Sequence, residues 1–142
     1  MKPVSELIKR REGTLWHARP DDSVFEALEL LARHEVGALV VMDKGRMVGV
    51  VSERDYTRKI ALQGRNSKET RVEDIMTRTV YTVTPKTGTR ECMALMSEKK
   101  IRHVPVLDGQ TVLGMLSIRD LMDDIIADHE LTIAQLENYI QS

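Results

Sequence analysis

The sequence predicts an α/β (α+β) fold: two pseudo-twofold related β-α-β-β-α repeats packed sheet to sheet, followed by a C-terminal helix. Three observations lead there. The phrase "VGVVSERDYTRKI" (48–60) returns as "LGMLSIRDLMDDI" (113–125), so that Gly49, Ser52, Arg54 and Asp55 are matched by Gly114, Ser117, Arg119 and Asp120. The match extends without a gap, at an offset of 65, back to about residue 14: Pro20 falls on Pro85, Glu26 on Glu91, Leu30 on Leu95, Val41 on Val106 and Asp43 on Asp108. Further upstream, "VSELI" (4–8) resembles "VEDIM" (72–76) at an offset of 68. Two copies suit a pair of facing units rather than a solenoid, which needs about three or more.

Each copy carries the same order of elements. An extended piece comes first, "TLWHARP" (14–20) and then "TVYTVTP" (79–85), ending in a proline that suits a strand exit. A helix follows. "DDSVFEALELLARHE" (21–35) has apolar residues at 24, 27, 28, 31 and 32 behind an Asp-Asp-Ser start, and "GTRECMALMSEKK" (88–100) repeats the stripe with Cys92, Met93, Leu95 and Met96. Next comes a hairpin, turning at Asp43-Lys44-Gly45 in one copy and Asp108-Gly109 in the other. A helix opened by Ser52 or Ser117 closes the copy. A lone unit of roughly 60 residues is marginal and leaves a sheet face bare, and a second copy covers it. The expected organisation is repeat one over 1–62, a polar linker over 63–71, repeat two over 72–126 and a helical tail over 127–142.

Composition narrows the function classes. The chain has 142 residues, 42% hydrophobic and 30% charged, with a formal net charge of −1. That is ordinary globular composition and argues against a dedicated nucleic-acid binder. No apolar run is long enough to span a bilayer, no signal peptide is visible, and the single Cys92 cannot form an internal disulfide. A cytoplasmic protein with no membrane partner is the expectation.

The chemistry concentrates in the repeated Ser-x-x-Asp. "SERD" and "SIRD" fit a capping box, in which Ser and the acid three residues on satisfy each other's backbone N–H groups. The same geometry offers a helix N-terminus to a phosphate and a carboxylate to the hydroxyls of a ribose. The two readings are compatible. Arg54 and Arg119 sit unfavourably near a helix start, which points weakly to an anion.

Taken together, the β-α-β-β-α plan, the Asp-Gly hairpins, "VGVVSERD", "IRHVPVLD" and "LGMLSIRD" resemble a pair of CBS (cystathionine β-synthase) domains, or Bateman module, over residues 4–126. The ending "LTIAQLENYI" is similar to that of small stand-alone CBS pairs. The resemblance implies a non-catalytic regulator that binds an adenine nucleotide (AMP, ADP, ATP or NAD) in clefts between the repeats. It also implies crosswise clefts. The first would join Ser52, Arg54 and Asp55 to Arg78, Thr79, Val80, Arg102 and His103. The second would join Ser117, Arg119 and Asp120 to Thr14, Leu15, Gly37 and Ala38. Asp55 and Asp120 would hold ribose hydroxyls. The first cleft should hold phosphate more tightly, because Arg102-His103 stand where the first copy has Gly37-Ala38 and Arg78 stands where it has Gly13. The competing reading is an oligomerisation or partner-docking protein with vestigial clefts.

Other residues carry less. His17, His34, His103 and His129 match no metal-ligand spacing, so no metal is expected. Cys92 reads as core filler with no base beside it, and no catalytic group assembles. The acids of "DLMDDIIADHE" form a solvated face, and "KRRE" (9–12) is a solvated turn or a phosphate contact of the second cleft. Trp16 and Tyr81 hold equivalent positions and suit packing or contact with a base. A homodimer is expected through Tyr56, Ile60, Leu62, Leu121, Met122, Ile125 and Ile126, with the C-terminal "LTIAQLENYI" adding area, and an unidentified regulated protein is a further partner.

Overall fold

The computed structural model describes residues 2–9 and 15–141. The first repeat runs through α1 (Ser5–Lys9), β1 (His17–Ala18), α2 (Val24–His34), β2 (Ala38–Asp43), β3 (Arg46–Ser52) and α3 (Glu53–Tyr56), which loosens into a π-turn over Thr57–Ala61. A 3-10 turn at Val72–Asp74 precedes α4 (Thr89–Lys99), β4 (His103–Asp108), β5 (Thr111–Ser117) and α5 (Ile118–Gln141). The strands form one sheet in the order β1-β2-β3, with β1 parallel to β2, and a second sheet of β4-β5. Thr14 and residues 10–12 of the basic run lie outside the described residues.

Local chemistry repeats with the sequence. Ser23 caps α2, its Oγ accepting from the Glu26 N–H at 3.0 Å. α2 and α4 end alike, on Glu35 (φ 53°) and Lys100 (φ 55°) in the left-handed conformation. The first hairpin turns through positive φ at both Lys44 (52°) and Gly45 (79°), a twist that matches the strands it joins. Both hairpins carry an irregularity at the same place, Val41/Met42 and Val106/Leu107.

One expected strand is reduced almost to nothing. In the first copy β1 pairs His17 with Val40 and Ala18 with Val41. In the second, the stretch 79–85 keeps a single bridge, Val83 to Val106, with Val83 N–H donating to Pro105 O at 3.1 Å and Leu107 N–H to Val83 O at 2.9 Å. The residue at the position of Val40 is Pro105, which has no N–H to give to the ladder. Residues 79–82 are therefore detached from the sheet.

The two copies exchange their leading segments. Val4 and Leu7 lie in a core with Val83, Cys92, Met96, Val104, Val106, Leu116 and Leu121, all of the second copy. Val72, Ile75 and Met76 lie in the core of the first copy, with Ala18, Val24, Leu31, Leu39 and Val51. The backbone bonds are equivalent one for one. Val4 N–H donates to Thr87 O (2.8 Å), Ser5 N–H to Pro85 O (3.1 Å) and Thr89 N–H to Lys2 O (2.9 Å). Their counterparts are Val72 to Asp22 O (2.8 Å), Glu73 to Pro20 O (3.0 Å) and Val24 to Thr70 O (2.8 Å). The stretch expected as a loose linker is thus partly built in: Thr70 is buried, and Phe25 N–H donates to Ser67 O at 3.0 Å.

Two further expectations change. The C-terminal tail is no separate helix, because α5 continues unbroken from Ile118 to Gln141. Of the residues assigned to a dimer face, Ile60 and Leu121 are fully buried in the two cores, whereas Leu62, Met122 and Ile126 are exposed.

The glycine of the repeated phrase marks where the exchanged segment crosses the sheet. A Cβ on Gly49 would sit 2.8 Å from the Thr77 carbonyl oxygen and 2.9 Å from Met76 Sδ. On Gly114 the nearest atoms belong to Ile8, the equivalent of Met76, at 3.5 Å, an ordinary contact. Gly49→Ala should therefore destabilise the protein by about 1–3 kcal/mol, as overpacking does. Gly114→Ala should cost well under half of that. Urea denaturation of both variants checks this, and equal losses would refute the difference.

Candidate functional site

Ser52 is the N-cap of α3 and its capping box is complete. Asp55 Oδ2 accepts from Ser52 N–H and from Ser52 Oγ, each at 3.0 Å, and Asp55 N–H donates to Ser52 Oγ at 3.2 Å. Ser117 and Asp120 reproduce the arrangement at 2.8, 2.9 and 3.2 Å. The first backbone N–H of each helix is engaged as well: Glu53 donates to Gly37 O (3.0 Å) and Ile118 to Arg102 O (2.8 Å). Two of the leading N–H groups of each helix, those of Glu53 and Asp55 and of Ile118 and Asp120, thus have partners inside the protein.

Two clefts lie between the repeats. The first, about 1050 Å³, is walled by Ser52, Arg54 and Asp55 from one copy and by Thr79, Val80, Arg102 and His103 from the other. The second, about 600 Å³, holds Ser117, Arg119 and Asp120 opposite Leu15, Gly37 and Ala38. The crosswise meeting of elements is as the sequence suggested, with one exception. Arg78 does not reach the first cleft, because its Nη2 donates to the Glu73 carbonyl at 3.2 Å. Arg102, His103, Gly37 and Ala38 line both clefts. They form a common wall where the two hairpin entries cross. A Cβ on Gly37 would stand 3.1 Å from the His103 ring. Arg102 and His103 therefore cannot by themselves make the first cleft the more cationic one.

Other cations do. Arg58, Lys59 and Lys100 line the first cleft and escaped the sequence reading. Lys59 was findable, since it stands four residues after Asp55 on a helical path. Its Nζ reaches Asp55 Oδ1 at 3.0 Å and Ile75 O at 2.7 Å, and Thr77 Oγ1 donates to the same carboxylate oxygen at 3.3 Å. The equivalent position in the second copy is Asp124, buried and paired with Lys2 at 3.0 Å. Arg54 is held at the mouth of the first cleft by donation from Nη1 to Lys100 O at 3.1 Å.

Aromatic rings stand at matched places. Trp16 borders the second cleft with its face stacked on His34, centroids 4.3 Å apart and planes 9° apart. Tyr81 borders the first, with Lys99 Nζ 5.2 Å from its centroid. Residues 34 and 99 are themselves equivalent, so each ring is backed by the last turn of its own repeat's helix. Cys92 is buried in the second core and lies in neither cleft, its thiol pushed up to about 11 by burial.

The profile of the CBS domain matches residues 4–62 and 72–127. The chain belongs to the CBS domain family. A mitochondrial CBS domain-containing protein of Arabidopsis thaliana, CBSX3, is 41% identical over 97% of this chain and 71% of its own length. A CBS domain-containing protein of Bacillus subtilis, YhcV, is 28% identical over 85% of this chain and 84% of its own length. Among solved structures, a protein with CBS domains from Burkholderia ambifaria superposes with a TM-score of 0.86 at 45% identity, covering 89% of this chain and 96% of that one. A hexameric CBS-CP12 protein from bloom-forming cyanobacteria reaches 0.77 at 27% identity, covering 86% and 70%. Among the described residues no helix is long and apolar enough to cross a membrane.

His103 ties the clefts to pH. Burial lowers its pKa below the usual 6.5; the Asp120 charge opposes the shift and the Arg102 charge adds to it. The folded protein thus binds fewer protons here than the unfolded chain once the pH drops below about 6.5. The associated stability is fully present above that pH and is lost as the pH falls towards the lowered folded value. Thermal unfolding between pH 7.5 and 5 should show a steeper acid loss in wild type than in His103→Gln. Parallel curves would contradict it.

Proposed function

We propose that this CBS pair is a non-catalytic sensor of adenine nucleotides of the AMP, ADP, ATP or NAD class, with the first cleft as its main site. CBS domain pairs generally bind adenosine-containing ligands. The observation that carries the reading is the composition of the first cleft, where a buried carboxylate (Asp55) shares the wall with Arg58, Lys59, Lys100 and Arg102. Such a carboxylate accepts from ribose hydroxyls, and such a set of cations suits phosphate. Lys59 is shared between Asp55 and Ile75 O. A phosphate entering the cleft competes for that ammonium and leaves Asp55 Oδ1 to a ribose hydroxyl. In the second cleft Ser117, Arg119 and Asp120 offer the ribose position with fewer cations among the described residues. Val80, Tyr81, Met96 and Ile101 give the first cleft an apolar side for a base.

The competing reading, oligomerisation or docking with unused clefts, draws on the hexameric state of the cyanobacterial relative. Calorimetry and thermal shift separate the two, because a ligand bound only to the native state raises the melting temperature as RT ln(1 + [L]/Kd). AMP, ADP, ATP or NAD should shift the melting point at millimolar concentration, and GMP should do so less. Hydrogen bonds to a charged group contribute about 1.5–3 kcal/mol, so Asp55→Asn should weaken the tightest site by roughly 10- to 100-fold. Lys59→Gln should weaken nucleotides more than adenosine. Asp120→Asn should leave the tightest site within a few-fold. No shift with any adenine nucleotide sinks the sensor reading, and loss of the tightest site in Asp120→Asn alone moves it to the other cleft.

A further inference from the structure

The two clefts are built from equivalent positions, so their charges compare pair by pair. The common wall cannot tell them apart, because Glu53, Arg102 and His103 line both. The other charged positions are related by the repeat offset of 65. Two pairs agree: Arg54 with Arg119, and Asp55 with Asp120. Every remaining pair is inverted, and always in the same sense. Lys100 lines the first cleft where Glu35 lines the second, and Arg58 lines the first where Asp123 lines the second. Lys59 lines the first, and its counterpart Asp124 is buried away from the second and bonded to Lys2. Among the described residues, the first cleft gathers five Lys and Arg against two carboxylates, and the second gathers two against four.

The inversion is one of side chain, not of backbone. Glu35 and Lys100 end their helices in the same left-handed conformation, at φ 53° and 55°. Arg58 and Asp123 each stand three residues after the capping-box acid. All four residues are exposed, which puts them at the cleft mouths. Charges so placed act on a ligand through solvent, over a Debye length of about 8–10 Å at ordinary salt. Surface charge that served only solubility would have no reason to change sign from one cleft to the other.

We infer that the second cleft selects against phosphate and takes an adenine nucleoside that carries none, with Glu35 and Asp123 setting that preference. Lys100 and Arg58 set the opposite one in the first cleft. This rests on the reading of the clefts as adenine-ligand sites and names what the second one admits. Asp120 receives the ribose as Asp55 does. A phosphate on that ribose then meets two carboxylates at the mouth, where the first cleft offers two cations. One chain can thus hold a nucleotide and its dephosphorylated nucleoside at the same time.

Calorimetry on the full-length Asp55→Asn protein, with the first cleft weakened, tests the proposal. Binding that the further change Asp120→Asn removes is assigned to the second cleft. Adenosine, 5′-amino-5′-deoxyadenosine, AMP and ADP share base and ribose and differ in charge at one end. In about 20 mM salt the amino compound should bind there most tightly and ADP least, with at least about 10-fold between adenosine and ADP. Salt at about 500 mM should narrow that gap. Glu35→Lys combined with Asp123→Arg should reverse the order and create a site for ADP, a gain that misfolding cannot imitate. Tighter binding of AMP than of adenosine before that double change, the result expected if the basic run of residues 9–12 served this cleft, overturns the proposal. So does an order that the double change leaves as it was, or no second-cleft binding by any of the four. If wild type still binds ADP in that last case, the sensor reading stands and only the sorting between clefts falls. If wild type binds none of them, the sensor reading falls as well.

Discussion

The rest of the structure depends on the exchange of leading segments. Residues 2–8 close the core of the second repeat and residues 70–77 close the core of the first, through equivalent backbone bonds and fully buried side chains such as Val4, Val72 and Ile75. Burying a side chain of this size stabilises by about 1.5–3 kcal/mol. A unit of roughly 60 residues has little stability of its own to lose. Neither repeat therefore has a complete core without chain belonging, by sequence, to the other. Gly49 is bare because Met76 and Thr77 cross it at van der Waals limit, and Gly114 lies under Ile8.

That interlock also positions the clefts. With each repeat tied to the other, the two hairpin entries cross, and Gly37 meets the ring of His103. The four residues at the crossing face both clefts, so the pair shares one wall. A ligand that draws Arg102 or His103 towards one side changes the surface offered to the other. Sharing a wall is a geometric consequence of pseudo-twofold packing.

Against this symmetry stand two departures of single residues. Pro105 in place of Val40 removes a ladder donor, and residues 79–81, off the sheet, wall the larger cleft. Lys59 in place of Asp124 sets a cation beside Asp55, whereas the second copy has an acid there, turned to Lys2. The repeat supplies two similar frames. These substitutions give one of them greater volume and more positive charge.

The sequence by itself determined the repeat, the order of elements, the hairpin turns, the capping boxes and the family. All of these are written in local patterns: periodicity, Asp-Gly turns and Ser-x-x-Asp spacing. The pairing of Ser52, Arg54 and Asp55 with Thr79, Val80, Arg102 and His103 was legible too, through the family resemblance. Only the tertiary structure decided which copy each leading segment completes, because "VSELI" and "VEDIM" look alike and each could serve either core. It decided that Arg78 turns to the Glu73 carbonyl and that Arg58, Lys59 and Lys100 face the first cleft. It buried Ile60 and Leu121 and left Met122, Ile126, Ile133 and Leu136 outside. Periodicity places such residues on an apolar face, but only the packed neighbours show whether that face meets its own chain.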